Sequence, residues 1–319
     1  MHANPICAFH RDLDVTLADF QREFVLSIFP GGSEISKSEY FDNYDLPCPI
    51  RVEVQRRDGR RETVVLRSPR GGSVEAEADL LRFLGGSGLP VPKLLAGPAP
   101  TPSGGSMILL SLLPGIDLQK FSMGSPDRLE ASKRILLGGI SRLSALTDPS
   151  SEGLDGRGIP RRTLREQFEV AADGASDWAG VPAFRSASEA LRPILASIDT
   201  PLVFTNGDYQ PGNFLTDGHM VTGFLDFEGA CFQDPLIGFA KYPIYDLHPL
   251  NKGGLIEYML KTFHYTKHDF APRLALGCLT ILRKEIAAHE SPSDDPSYRE
   301  HVLALLSDSV ELTTGRRPG

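Results

Sequence analysis

Apolar and polar residues alternate through the first third of the chain. IRVEVQ (50–55) and ETVVLRS (62–68) are β-branched runs, and the RRDGRR between them carries Asp58-Gly59, a strong tight-turn signal. The pattern predicts an antiparallel hairpin over 50–68. After Gly71-Gly72 the spacing turns helical: VEAEADLLRFLGG puts Val74, Ala78, Leu81 and Leu84 on one face and ends in glycines. LPVPKLLAG is held extended by its prolines, and SMILLSLL (106–113) is an apolar run of strand length that stops at Pro114-Gly115. Beyond Gly115 the period is helical over 126–147, 161–173, 185–198, 253–268, 271–289 and 297–311. The exception is 202–228, where PLVF and HMVTGFLDF read as short buried strands flanking a turn-rich loop. The expected class is α+β, with a sheet-containing part over 1–113 and a mainly helical part over 114–319. The sequence contains no internal repeat.

Composition narrows the partners. With 319 residues, 41% of them hydrophobic, the chain can build one large domain or two lobes. A formal net charge of −8 argues against nucleic acid, whose phosphates are bound by clustered Lys and Arg. Cys7, Cys48, Cys231 and Cys278 show no Cys-x-x-Cys spacing, so neither a zinc site nor a disulfide framework is expected, and a reducing cytoplasm fits. The N-terminal MHANPICAFHRDLDV has no basic stretch leading into an apolar core, and no apolar run approaches the roughly 18 residues of a membrane span. The expectation is a cytoplasmic protein with no membrane partner.

Candidate chemistry concentrates in VFTNGDYQPGNFLTDGHMVTGFLDFEGACFQDP, residues 203–235. Asp208 is followed five positions later by Asn213, and Asp226 comes after an apolar strand. Phosphoryl transfer needs one group to orient and deprotonate the attacking hydroxyl, and oxygen ligands to hold Mg²⁺ on the nucleotide phosphates. An Asp on a rigid loop suits the first task, and an Asn on that loop with an Asp at a nearby strand end suits the second.

N-G-D-Y-Q-P-G-N-F-L followed by L-D-F-E-G resembles the catalytic and metal-binding core of the aminoglycoside phosphotransferase and choline kinase-like family. The resemblance implies a two-lobed protein-kinase-like fold and a kinase that uses ATP or GTP with Mg²⁺ to phosphorylate an alcohol group. By this likeness Asp208 is the catalytic base, and Asn213 and Asp226 are the magnesium ligands. ETVVLRS matches the strand bearing the nucleotide-contacting basic residue, here Arg67, and EAEADLLRFL matches the helix whose acid pairs with it, here Glu77. MILLSLLPG resembles the last strand of the sheet, where backbone groups from Ser111 to Leu113 meet the adenine. LGGISRLSALT resembles the family's next helix, with Ser144 in place of the usual histidine. Glu228 either assists the metal or ends a strand.

Three positions depart from the pattern. Asn206 replaces a histidine two residues before the catalytic Asp and retains hydrogen-bonding capacity. Arg67 stands where protein kinases use Lys and keeps its charge with a different reach. Gly238 replaces an Asp in a D-L-A-like sequence, which would remove a brace beneath the catalytic loop. These departures support a second reading, a nucleotide-binding pseudoenzyme serving as a regulatory or scaffold module. Only FEGACFQ separates Asp226 from Asp234-Pro235, leaving no segment to form the peptide platform of a protein kinase. A small-molecule acceptor is therefore expected, of a kind the sequence does not name: an aminoglycoside, a related amine or a sugar.

Other features stand at lower specificity. GGSEISKS (31–38) is one change from a P-loop, but no long helix follows it. Gly31-Gly32-Ser33 is then either the nucleotide-covering loop, with Lys37 nearby, or an ordinary turn. His264 and His268 share a spacing used by zinc ligands, but without a third ligand they read as surface residues. Asp246, Glu285 and Glu290 either face a cationic substrate or, more often for such positions, a solvated helix face.

Overall fold

The computed structural model describes residues 13–41, 49–68, 74–147, 158–172, 181–283 and 296–316. The chain divides into two compact units: Met1–Ile116 together with Thr222–Glu228, and Asp117–Val221 together with Gly229–Gly319.

The first unit is built on a five-stranded sheet of β1 (Glu34–Tyr40), β2 (Ile50–Gln55), β3 (Arg61–Arg67), β4 (Leu94–Pro100) and β5 (Ser106–Ser111), in the order β1-β2-β3-β5-β4. All its pairings are antiparallel. Period-2 alternation gives each strand two faces. Ile50, Val52, Val54, Val64, Leu66, Met107 and Leu109 form one core with Leu17 and with Val25 of helix α1 (Asp19–Leu26). The opposite parity places Arg67 on the other side of β3, the side from which helix α2 (Glu75–Gly86) supplies the buried stripe Glu77, Leu80, Leu81 and Leu84.

The hairpin over 50–68 forms as the turn signal requires, with Ile50 opposite Leu66 and Gln55 opposite Arg61. The register corrects the reading of Gly31–Ser33 as a nucleotide cover. Glu34 pairs with Gln55 and Tyr40 with Ile50, so Gly31–Ser33 lies at the far end of the sheet from Arg67, beside Arg57. It is an ordinary turn, closed by the Ser33 hydroxyl donating 2.8 Å to the Pro30 carbonyl. Ser36–Ser38 lie within β1, which also removes the P-loop reading.

The second unit is mainly helical. Helices Leu164–Ala171, Pro182–Ser197, Lys267–Ile281 and Pro296–Thr314 share one core, with Phe168, Phe184, Leu191 and Leu279 among its buried members. The helix expected over 253–268 is Leu255–Thr262, ended before Thr266, which caps the next helix by accepting from the Asp269 amide. Glu285, Glu290, Gly71, Gly72, Cys7 and Cys48 lie outside the described residues. No helix among the described residues is long and apolar enough to cross a membrane.

Candidate active site

In the first unit three carboxylates surround Arg67. Its Nη2 lies 2.8 Å from Asp226 Oδ1 and 3.0 Å from Glu228 Oε2, while its Nε is 3.1 Å from Glu77 Oε2, close but not aligned as a hydrogen bond. Burial by itself would lower the Arg67 pKa, but the three carboxylates outweigh it and hold the guanidinium firmly charged. Burial pushes the Glu77 carboxyl above its usual range, against the pull of Arg67 and the Phe227 amide. Asp226 has φ +60°, a left-handed conformation that Asp tolerates better than most side chains and that aims its carboxylate at Arg67. Glu228, left between two roles by its sequence, is thus a partner of Arg67.

Ser111 and Leu113 follow at the end of β5. The Ser111 amide donates to the Lys93 carbonyl and its hydroxyl accepts from the Lys93 amide, each at 2.9 Å, which ends the β4-β5 ladder. The Leu113 amide donates to no backbone carbonyl among the described residues.

In the second unit the loop 206–213 is pinned at both ends by fully buried phenylalanines, Phe204 on strand Val203–Thr205 and Phe214 on strand Phe214–Thr216. Side chains close it from within. Asn206 Oδ1 accepts from the Asp208 amide at 3.3 Å, and Asp208 Oδ1 accepts from the Gln210 amide at 2.8 Å. Asn213 Nδ2 donates to the Asp208 carbonyl at 3.3 Å, which fixes the amide orientation and leaves Asn213 Oδ1 turned the other way. Gly207, at φ +84°, passes so close to Gly229 that a Cβ would lie 2.0 Å from the Gly229 carbonyl oxygen.

Several supports were not legible in the sequence. Lys241, at the start of helix Lys241–Ile244, forms an ion pair with Asp208 Oδ1 from 33 positions away. Tyr242 is fully buried and donates 2.8 Å to the Tyr209 carbonyl. Asp234, fully buried, is gripped by Arg273 Nη2 at 2.7 Å and Nε at 3.2 Å, and its Oδ1 accepts from the Leu236 amide at 2.9 Å. No periodic or short-range pattern connects Lys241 to Asp208, Tyr242 to Tyr209 or Arg273 to Asp234.

The sequence profile of the Phosphotransferase enzyme family matches residues 51–247, more than half of the chain. The chain belongs to this phosphotransferase family. No curated protein matches it by sequence. Among solved structures it is similar to a thermostable mutant of aminoglycoside phosphotransferase APH(4)-Ia in ternary complex with AMP-PNP and hygromycin B, with TM-score 0.68 and 16% identity over 94% of this chain and 100% of that one. It is also similar to the GDP and kanamycin complex of APH(2")-IIia, with TM-score 0.59 and 17% identity over 90% and 96% of the two chains. These likenesses show the fold, the α+β protein-kinase-like fold with an antiparallel sheet in the first unit.

Within the phosphotransferase frame, Gly238 does not leave a gap. A Cβ there would lie 2.5 Å from Tyr209 Cδ2, because the Tyr209 ring fills that space, edge-on to Phe239 with centroids 5.3 Å apart. The loop is braced at Tyr209 by this aromatic packing and by the Tyr242 hydrogen bond. Gly238→Ala should therefore lower stability by about 1–3 kcal/mol through overpacking. An unchanged thermal unfolding curve would contradict this packing account.

Taken one at a time, Asn213 and Asp226 have the donor chemistry of Mg²⁺ ligands. Asn213 and Asp226 offer amide and carboxylate oxygens, the donor type that ion prefers, and Mg²⁺ commonly takes only one or two protein ligands beside phosphates and water. No group of three or more His, Cys, Asp and Glu suited to holding a metal occurs among the described residues.

Proposed function

We propose that this phosphotransferase is a small-molecule kinase that transfers the γ-phosphate of ATP or GTP to a hydroxyl of a small acceptor. The observation that carries the reading is the loop 206–213, in which Asp208 and Asn213 are locked together by the Asn213 Nδ2 bond to the Asp208 carbonyl. That bond holds the amide with its oxygen presented, while the Asp208 carboxylate is kept in place by the Gln210 amide. Asn213 and Asp226 are the residues that would hold Mg²⁺, which would supply electrostatic stabilisation of the phosphates.

The acceptor hydroxyl hydrogen-bonds to Asp208, which orients it and takes its proton as the new oxygen–phosphorus bond forms. The bond from the γ-phosphorus to the bridging oxygen breaks, and its electron pair leaves on the nucleoside diphosphate. Arg67, oriented by Glu77, contributes positive charge toward the nucleotide phosphates. The amide and carbonyl groups of Ser111 to Leu113 receive the base. Catalysis rests on positioning and fixed charge. The complexes of similar proteins with hygromycin B and kanamycin put aminoglycosides among the acceptors to try, beside simpler amines and sugars.

The test is transfer from ATP and GTP with Mg²⁺ across a panel of hydroxylated small molecules, with Asp208→Ala in parallel. Transfer to a panel member should fall by about 10²-fold to 10⁴-fold in the variant, with nucleotide binding retained. A variant rate equal to wild type would remove Asp208 from the mechanism. Nucleotide binding with no turnover of any acceptor would favour the pseudoenzyme.

A further inference from the structure

The contact between Lys241 and Asp208 bears on which acceptor the site takes, and the argument rests on the kinase reading above. Lys241 is not a loosely placed surface lysine. It follows the turn Ile237–Ala240, which begins just after the Asp234–Arg273 pair, and the next residue, Tyr242, is hydrogen-bonded to the Tyr209 carbonyl inside the catalytic loop. The backbone that carries Lys241 is thus tied to the loop that carries Asp208. Both side chains are partly shielded from water, with 23% of Lys241 and 31% of Asp208 exposed, so the charge acts over short range with limited screening.

The hydrogen bonds engage one of the two Asp208 oxygens. Lys241 and the Gln210 amide both address Asp208 Oδ1, so Oδ2 is the oxygen offered to a hydroxyl. An ammonium carries three donors, and one is spent on Asp208. Among the described residues the Lys241 ammonium makes no other hydrogen bond, so two donors remain for an acceptor bound at Oδ2: they would bind an anionic substituent there and offer nothing to a cationic one. The neighbouring acids do not reverse the sign. Asp246 lies 3.2 Å from Lys252 and accepts from Asn251 at 2.8 Å, and Asp234 is held by Arg273. Asp234 and Asp246 are thus engaged by cations other than Lys241.

We propose that Lys241 determines acceptor specificity, and that the preferred acceptor is a small hydroxylated molecule with an anionic group, such as a carboxylate, next to the reacting hydroxyl. A polyamine with an ammonium at that position is disfavoured.

The test measures kcat/KM with Mg²⁺ and ATP or GTP for hydroxyl acceptors in three charge classes: glycerate and related hydroxy acids, glycerol and neutral sugars, and 3-amino-1,2-propanediol with kanamycin. Wild type should prefer the anionic class by about tenfold or more. Lys241→Met should collapse the ratio of anionic to neutral acceptors toward one, mainly through KM, and Lys241→Arg should keep it. A wild-type preference for kanamycin or the amino alcohol overturns this proposal and leaves the kinase reading standing. So does a Lys241→Met variant that slows both classes equally, which would mark a structural role. Absence of Asp208-dependent transfer to every acceptor overturns both readings together.

Discussion

Gly207→Ala should destabilise the protein by more than about 4 kcal/mol, enough to leave little native material. The methyl would meet backbone on a rigid path: the Gly229 carbonyl oxygen at 2.0 Å and its carbon at 2.4 Å. Neither side can yield easily, because Thr205 and Cys231, two residues from each contact point, are paired in an antiparallel ladder. The φ of +84° adds a penalty of its own for any side chain. Gly85→Ala is the matched control, since it lies within helix α2 with nothing within 4 Å of its Cβ. That change should be neutral or stabilising by up to about 1 kcal/mol. Thermal unfolding of the two variants separates the cases, and a Gly207→Ala melting temperature close to wild type would show that the two strands can part without cost.

Arg67→Met should cost about 3–5 kcal/mol, because it strips the shared cation from three carboxylates and leaves Glu77, only 5% exposed, without a positive partner. Glu77→Gln should cost much less, since Arg67 keeps Asp226 and Glu228. Arg67→Lys should fall between them: one ammonium retains the charge but lacks the planar fork that reaches three acids at once. Urea unfolding gives the order directly, and a Glu77→Gln variant less stable than Arg67→Met would refute it. The same cluster has a pH signature. The Glu77 carboxyl binds its proton more tightly in the folded protein than in the unfolded chain, so this group's contribution to stability declines as pH rises through its range. Glu77→Gln should remove that decline.

What was legible in the sequence was local. Residues 50–55 and 61–67 alternate with period 2 about an Asp-Gly turn, and α2 repeats its apolar residues at helical spacing, so neighbours in sequence report directly on neighbours in space. Strand β1, EISKSEY, has no sequence period that marks it, because it lacks a fully buried apolar face and is fixed by pairing with β2 and by backbone bonds to residues 13–15. Helix α1 has a single fully buried residue, and strand Cys231–Gln233 has three residues, too short for any period to show. Asp208, Asn213, Asp226, Arg67 and Glu77 are five charged or polar residues spread over 160 positions, and spacing alone does not announce a common task for them; the family resemblance links them.

By itself the sequence determined the α+β class, the elements with a strong period, and the loop on which Asp208 and Asn213 lie five residues apart. Only the tertiary structure decided that Arg67 faces Glu77, Asp226 and Glu228, that Tyr209 occupies the space beside Gly238, and that Lys241 rests on Asp208. The reason is physical. Periodicity records which face of one element is buried, whereas an ion pair or a steric exclusion depends on where two distant segments meet, and that is set by the packing of the whole unit.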